Sequence, residues 1–317
     1  MKTVPILFTF DEKLVLAAGV CITSLLENAG PETFYDIFIL HGKGCDLENT
    51  DLRLIPNRYS NCRITFRTVE GEFIGAYEIR GIPETAYYRL LAPELIPEYD
   101  KILYSDVDVI FREDLSNYYD IDLGENYFAG VDNGVKIRPD MQSYVRDTLG
   151  LDIEKGYYYS GNLVINSALL LKDGMTEKFR TLAKENNFYD QDMAIINVAC
   201  NERILRLGPS YCLTNNIYNL IVFHRDKMEE TYGKEEVDHA LNSGIVHYNG
   251  AKPWNKACMN MDIWWYYYRK SIFFDEKFCR NFWDRESYLL DRLTLKKRIK
   301  MLLRYPLDRK MVKAYNK

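Results

Sequence analysis

Four short apolar runs, Val4–Phe10, Tyr35–Leu40, Cys62–Val69 and Ile102–Ile110, are separated by segments that read as helix, and no other feature constrains the fold as much. After Val4–Phe10, the residues Ala17, Val20, Cys21, Ser24 and Leu25 recur at helical spacing, and the pattern stops near Asn28-Ala29-Gly30-Pro31. Cys62–Val69 alternates through Ile64, Phe66 and Thr68, as a strand with one drier face does. Helices are expected over Asp46–Ile55 and Glu84–Leu91. Strands alternating with helices need right-handed crossovers, so the reading is an open, doubly wound α/β domain with a mostly parallel sheet. Beyond Asp132 the pattern is mixed, with an apolar stretch at Leu163–Ile165 and helices expected around Thr176–Lys184 and over Gln191–Cys200. An aromatic helical region opens at Trp264.

Composition sets outer bounds. A chain of 317 residues that is 47% hydrophobic can bury a large core, which excludes a disordered or fibrous protein. Its net charge of -5 argues against a nucleic-acid partner. That average hides an asymmetry: Arg292–Lys317 holds ten Lys or Arg against one acid, a balance of +9, which leaves -14 for the rest. The seven cysteines are scattered without a Cys-x-x-Cys pair, which favours a reducing, cytoplasmic setting over a thiolate zinc site. The first residues read as a strand and not as a signal peptide, and no stretch reaches the roughly 18 apolar residues of a membrane span.

The run Ile102-Leu103-Tyr104-Ser105-Asp106-Val107-Asp108-Val109-Ile110 places two carboxylates where a buried strand ends. Unpaired charge is costly there, and open α/β sheets collect ligands beyond the carboxyl ends of their strands, so the pair is expected to meet a cation. Two residues apart on a strand, Asp106 and Asp108 face alike, and a slight bend would let both hold one hard divalent ion carrying a diphosphate. The competing reading is a turn whose aspartates cap the next helix. His247, one of four histidines, opens His247-Tyr-Asn-Gly250-Ala-Lys252-Pro253-Trp254. An imidazole beside two carboxylates suits manganese, while Gly250 lets backbone N–H groups approach a phosphate and Lys252 neutralises it. Here the competing reading is a buried histidine and an ordinary Lys-Pro turn.

Together these segments resemble the retaining glycosyltransferases of family 8, which include bacterial lipopolysaccharide glucosyl- and galactosyltransferases and glycogenin. The resemblance runs from about Val4 to Trp254 through Val4–Asp11 with Ser24–Asn28, Thr85–Leu90, Tyr104–Asp108, Ser160–Asn166, Asp190–Asp192 and the His247 segment. It implies a GT-A type catalytic domain over 1–258, followed by a helical, basic appendage over 259–317. It also implies a metal-dependent transfer of glucose or galactose from a UDP-sugar to a glycan or glycolipid acceptor. Asp106, Asp108 and His247 then match the ligands of Mn2+ or Mg2+. Thr9, Phe10 and Asp11 match the uridine-holding loop, Val107 the ribose contact, and Ser160 and Gly161 open a donor-binding segment. Arg89 matches the basic residue that reaches the donor, Asp132 and Asp190 the acids near the two sugars, and Gln191 the group beneath the anomeric carbon. Gly250 and Lys252 match the diphosphate clamp.

The chain departs from the family pattern in places. Lys13 and Leu14 replace an asparagine and a uracil-stacking aromatic, Tyr159 replaces an asparagine with Asn162 nearby, and Lys252 stands one residue closer to the histidine than usual. Two other functions are open at this point: an aspartate-nucleophile phosphatase built on Asp106-Val-Asp108-Val-Ile110, and a nucleotide-sugar binder without transfer. In the tail, Leu295, Ile299, Leu302 and Leu303 recur at helical spacing among basic residues before Pro306. That segment suits an anionic membrane surface, making the protein peripheral on the inner membrane face, or suits packing on the acidic body.

Overall fold

A computed structural model describes residues 1–79 and 83–300. Among the described residues ten strands build two sheets: β1 (Lys2–Thr9), β2 (Thr33–Gly42), β3 (Cys62–Val69), β4 (Lys101–Ser105), β5 (Val109–Phe111), β6 (Phe128–Val131), β7 (Asn162–Asn166), β8 (Ile204–Leu207), β9 (Leu213–Thr214) and β10 (Ile245–His247). The larger sheet runs β3-β2-β1-β4-β7-β6-β8, and the smaller runs β5-β10-β9. Four of the six pairings in the larger sheet are parallel; β7 runs antiparallel to both β4 and β6. Strands β1, β4 and β6 therefore point the same way, and their carboxyl ends share one edge with the start of β7. That edge holds the site.

Both faces of the sheet are covered, so its central strands are apolar without strict alternation. Val4, Ile6 and Phe8 of β1 enter one core cluster and Leu7 enters the other. The first cluster lies under the helix Val15–Glu27, which buries Ala18, Val20, Cys21, Ile22, Leu25 and Leu26. Trp264, Trp265 and Tyr268 of the helix Met261–Lys270 and Phe282 of the helix Glu276–Asp291 belong to the same cluster. Asn28 joins these parts: its amide donates to the carbonyl of Phe111 at 3.1 Å and to the Tyr267 hydroxyl at 2.7 Å. Ser24 Oγ accepts from the Phe111 N–H at 3.0 Å. The Ser24–Asn28 segment thus anchors the small sheet to the large one.

Two expectations are corrected and one, the helix Glu84–Leu91, is refined. Ile102–Ile110 is not one strand: β4 stops at Ser105 and β5 starts at Val109 in the other sheet, so Asp106 and Asp108 occupy the crossing between sheets. Glu84–Leu91 is helical with 3-10 geometry and continues as one α-turn, Ala92–Leu95. Pro93 has no N–H for the Arg89 carbonyl, which instead accepts from Ala92 three residues on. Asp46–Ile55 yields only a 3-10 turn, Asp51–Leu54, followed by the short α-turn Ile55–Arg58 with a proline in its first turn. By contrast, Gln191–Cys200 is the expected α-helix.

In the tail, Leu295 and Ile299 are exposed. The expected positions Leu302, Leu303 and Pro306 lie outside the described residues. Among the described residues no helix is long and apolar enough to cross a membrane.

Candidate functional site

An open cleft of ≈ 740 Å³ runs along the shared carboxyl edge, from the β1 loop past the Asp106–Asp108 crossing to the start of the helix Gln191–Cys200. It lies at the switch point between β1 and β4, where the strand order reverses. Thr9, Phe10, Asp11, Arg89, Val107, Ser160, Asp190, Gln191 and Lys252 line it, as do Asp106, Asp108, Gly161 and His247.

At its centre Asp106, Asp108 and His247 offer ligand atoms that all lie within 4.8 Å of one another. The β5–β10 register sets His247 opposite Val109, and the Tyr248 N–H donates to the Asp108 carbonyl at 2.9 Å, closing the two segments together. His247 Nε2 lies 3.3 Å from Asp108 Oδ1 and 3.6 Å from Asp106 Oδ2, while Nδ1 lies 3.5 Å from the buried Cys212 Sγ. The thiol thereby occupies one ring nitrogen and leaves the other for the carboxylates. Two hard oxygen donors and one imidazole nitrogen suit manganese or magnesium. Gly161 supports the same fit. A Cβ there would stand 2.7 Å from Asp106 Oδ2 and 2.9 Å from His247 Nδ1, so only glycine admits this ligand set.

The charges around the centre are paired. The Arg89 guanidinium meets Asp106 Oδ1 at 3.0 Å and Asp192 Oδ2 at 3.2 Å, donates to the Ser160 carbonyl at 2.8 Å, and stacks on the Tyr104 ring at 4.3 Å. Burial disfavours its charge, but Asp106 and Asp192 outweigh burial and hold Arg89 protonated, above its ordinary range. Tyr104 donates to Asp106 Oδ1 at 2.7 Å and lies 3.1 Å from Thr9 Oγ1. With Oδ1 engaged twice, Asp106 turns Oδ2 toward His247. Asp108 pairs through Oδ2 with Lys252, which also donates to the Tyr248 carbonyl at 2.7 Å. Burial raises the Asp108 pKa, but the charges of His247 and Lys252 outweigh it and hold the carboxyl below its usual range.

At the far end Gln191, the first residue of its helix, has a φ of 42°, a left-handed conformation unusual for a residue with a side chain. Its amide donates to the Tyr77 carbonyl at 3.0 Å, and the Tyr157 hydroxyl donates to Asp190 Oδ2 at 3.3 Å. At the near end Asp11 Oδ1 accepts from the Lys13 N–H at 3.0 Å, starting the turn toward the first helix. A Cβ at Gly250 would stand 2.9 Å from Asn215 Nδ2, the movable end of a side chain.

The structure does not bring Asp132 into the cleft. Its carboxylate accepts N–H bonds from Gly134 at 3.0 Å and Tyr157 at 3.3 Å and lies 3.7 Å from Arg206, and burial raises its pKa. Asn133, the next residue, lines the cleft instead. Asn162 donates to Ser105 Oγ at 2.9 Å within the core, and the Tyr159 hydroxyl accepts from Thr214 Oγ1 at 3.2 Å. Tyr104, Asp192, Cys212 and Asn133 escaped notice as individual site residues. Tyr104 and Asp192 lie inside quoted motifs; Cys212 and Asn133 carry no sequence signal.

A doubly wound sheet with an Asp-x-Asp crossing and a histidine at its switch point is the arrangement that the resemblance to a GT-A type domain leads one to expect. The chain belongs to glycosyl transferase family 8, whose profile matches residues 5–258. That membership sets the phosphatase reading aside. Among relatives, General stress protein A of Bacillus subtilis is 25% identical over 260 residues, covering 77% of this chain and 85% of that one. A lipopolysaccharide 1,2-glucosyltransferase of Escherichia coli is 27% identical over 266 residues, covering 80% and 74%. Among solved structures, the galactosyltransferase LgtC in complex with donor and acceptor sugar analogs superposes with a TM-score of 0.71 at 24% identity, over 86% of this chain and 98% of that one. The bifunctional glycosyltransferase WbbM superposes with a TM-score of 0.72 at 20% identity; the match spans 88% of this chain but only 52% of that longer one. At these identities the structural likeness speaks for the fold.

Proposed function

We propose that this protein is a retaining hexosyltransferase that moves glucose or galactose from a UDP-sugar to a glycan or glycolipid acceptor, with Mn2+ or Mg2+ held by Asp106, Asp108 and His247. The observation that carries this reading is the convergence of those three side chains over a glycine that leaves them room. The E. coli glucosyltransferase relative favours a lipopolysaccharide-type acceptor. The catalytic unit is taken as residues 1–258 and 259–317 as a basic helical appendage, whose helix Met261–Lys270 packs against the first helix.

Bound there, the ion supplies positive charge beside the diphosphate. The protein's own residues supply the rest. The β1 loop, Thr9 to Asp11, and the Val107 backbone hold the nucleoside, and Ser160 and Gly161 form the wall beside it. Lys252 shifts its charge from Asp108 to the phosphate as the leaving group becomes more anionic, and the Gly250 N–H adds a donor, a contribution that is largest in the transition state. Arg89 keeps Asp106 oriented. Gln191 lies beneath the sugar and cannot ionise into a nucleophile, so retention follows from attack on the departing face, with the leaving phosphate oxygen taking the acceptor proton. Asp190, held by Tyr157, orients hydroxyls.

The test is transfer and hydrolysis of UDP-glucose and UDP-galactose with and without a chelator. Activity is expected to need the metal and to vanish in Asp108→Ala with the fold intact; full activity in chelator would overturn the metal site, and UDP binding without turnover would leave a binding protein. For the tail, we read residues 292–317 as an anchor to anionic membranes. Deletion from Arg292 is expected to abolish sedimentation with anionic liposomes, and unchanged sedimentation would refute the anchor.

A further inference from the structure

We propose that Asn133 is a sugar-recognising residue of this enzyme, its side-chain amide binding hydroxyl groups of the transferred hexose. The inference rests on the donor reading above. Asn133 is 1% exposed, and neither its Oδ1 nor its Nδ2 has a hydrogen-bond partner. Buried amides are rarely left this way, because a polar group removed from water and given nothing in exchange destabilises the fold. The other amides on the cleft wall are engaged: Gln191 with the Tyr77 carbonyl, Asn216 with the Tyr159 hydroxyl, and Asn249 with the Asn215 N–H.

The topology says which part of the ligand Asn133 meets. Across the large sheet the order β1, β4, β7, β6 sets the order of loops along the cleft. The β1 loop is at one end, the Asp106–Asp108 crossing comes next, then Ser160 and Gly161, and Asn133, two residues past β6, lies beyond them. If the nucleoside lies in the β1 loop and the diphosphate at the metal group, the hexose reaches the β6 end. Asn133 is held there by rigid parts. Its N–H donates to the Tyr157 carbonyl at 2.8 Å, and the preceding Asp132 carboxylate ties down the N–H groups of Gly134 and Tyr157. The buried Asp132 thus acts as a brace for the turn that presents Asn133. A side-chain amide has a donor and an acceptor on one flat group, which matches two neighbouring hydroxyls of a pyranose. The terminal torsion of asparagine is soft, so the amide can turn to meet them without backbone movement.

The experiment compares the parent with Asn133→Leu, of similar size without polar atoms, and with Asn133→Asp, which keeps the shape should the leucine variant fail to fold. UDP affinity, UDP-hexose affinity, kcat/KM for transfer and ligand-free melting temperature are measured with Mn2+. The expected result is UDP affinity within about twofold of the parent, kcat/KM lowered at least tenfold, and a ligand-free melting temperature unchanged or raised in Asn133→Leu, since the orphaned amide is gone. Transfer kinetics equal to the parent's, or UDP affinity falling in step with UDP-hexose affinity, would overturn the inference. A parent that neither binds nor turns over UDP-hexoses would overturn the donor reading, and this inference with it.

Discussion

The centre of the cleft and its β6 side are built on opposite terms. Around Asp106, Asp108 and His247 the charges have protein partners: Arg89 and Tyr104 on Asp106, Lys252 on Asp108, and Cys212 behind the imidazole. At the β6 end the Asn133 amide has none. The difference reflects what desolvation costs. A buried charge must be neutralised by the protein itself or the fold suffers severely, whereas a neutral amide can wait for its ligand at a smaller cost. The carboxylate and histidine group is therefore fixed by the fold's own contacts, whereas the fold leaves the Asn133 amide unsatisfied.

That contrast can be broken most forcefully at Gly161. Adding one methyl in Gly161→Ala pushes against Asp106 Oδ2 and His247 Nδ1 together, so Mn2+ affinity and transfer should both fall, transfer by about a hundredfold or more, as expected when ligands are displaced by an ångström. Isothermal titration with Mn2+ beside a transfer assay reads both, and a fully active variant would mean that the metal does not sit between these ligands. A gentler probe is Cys212. Removing the thiol in Cys212→Ala frees His247 Nδ1, and Mn2+ affinity read by electron paramagnetic resonance should drop by about tenfold, the low end for an outer-shell partner because a thiol is a weak one. Cys212→Ser should recover most of that loss at unchanged melting temperature. Equal affinity in both variants would show that the thiol merely fills space.

Much of this was readable in the chain, for physical reasons that can be named. The helix Gln191–Cys200 and strands β1, β2 and β3 follow from local apolar runs, and the carboxylate pair stands out because charge is rare beside a buried strand. What escaped depends on distant pairing. The alternation Asp106-Val107-Asp108 is compatible with one strand running from Ile102 to Ile110; the break between Ser105 and Val109 appears only when β5 pairs with β10, far along the chain. Asp132 and Asn133 illustrate the same limit. Resemblance points to the acid, but the backbone N–H groups of Gly134 and Tyr157 claim it, and the neighbouring amide takes the place on the cleft wall. Cys212 carries no signal at all until β9 lies beside β10.

The β5–β10 pairing also sets a timetable. His247 reaches Asp106 and Asp108 only after β10, the last of the described strands, has closed onto β5, although both acids are synthesised early. Pairings between segments distant in sequence form slowly, because the chain between them must be ordered first. A chain in which β10 has not yet docked therefore lacks one of the three side chains proposed to hold the ion. If these three residues hold the ion as proposed, metal uptake followed during refolding reports when β10 docks, ahead of any assay for sugar transfer.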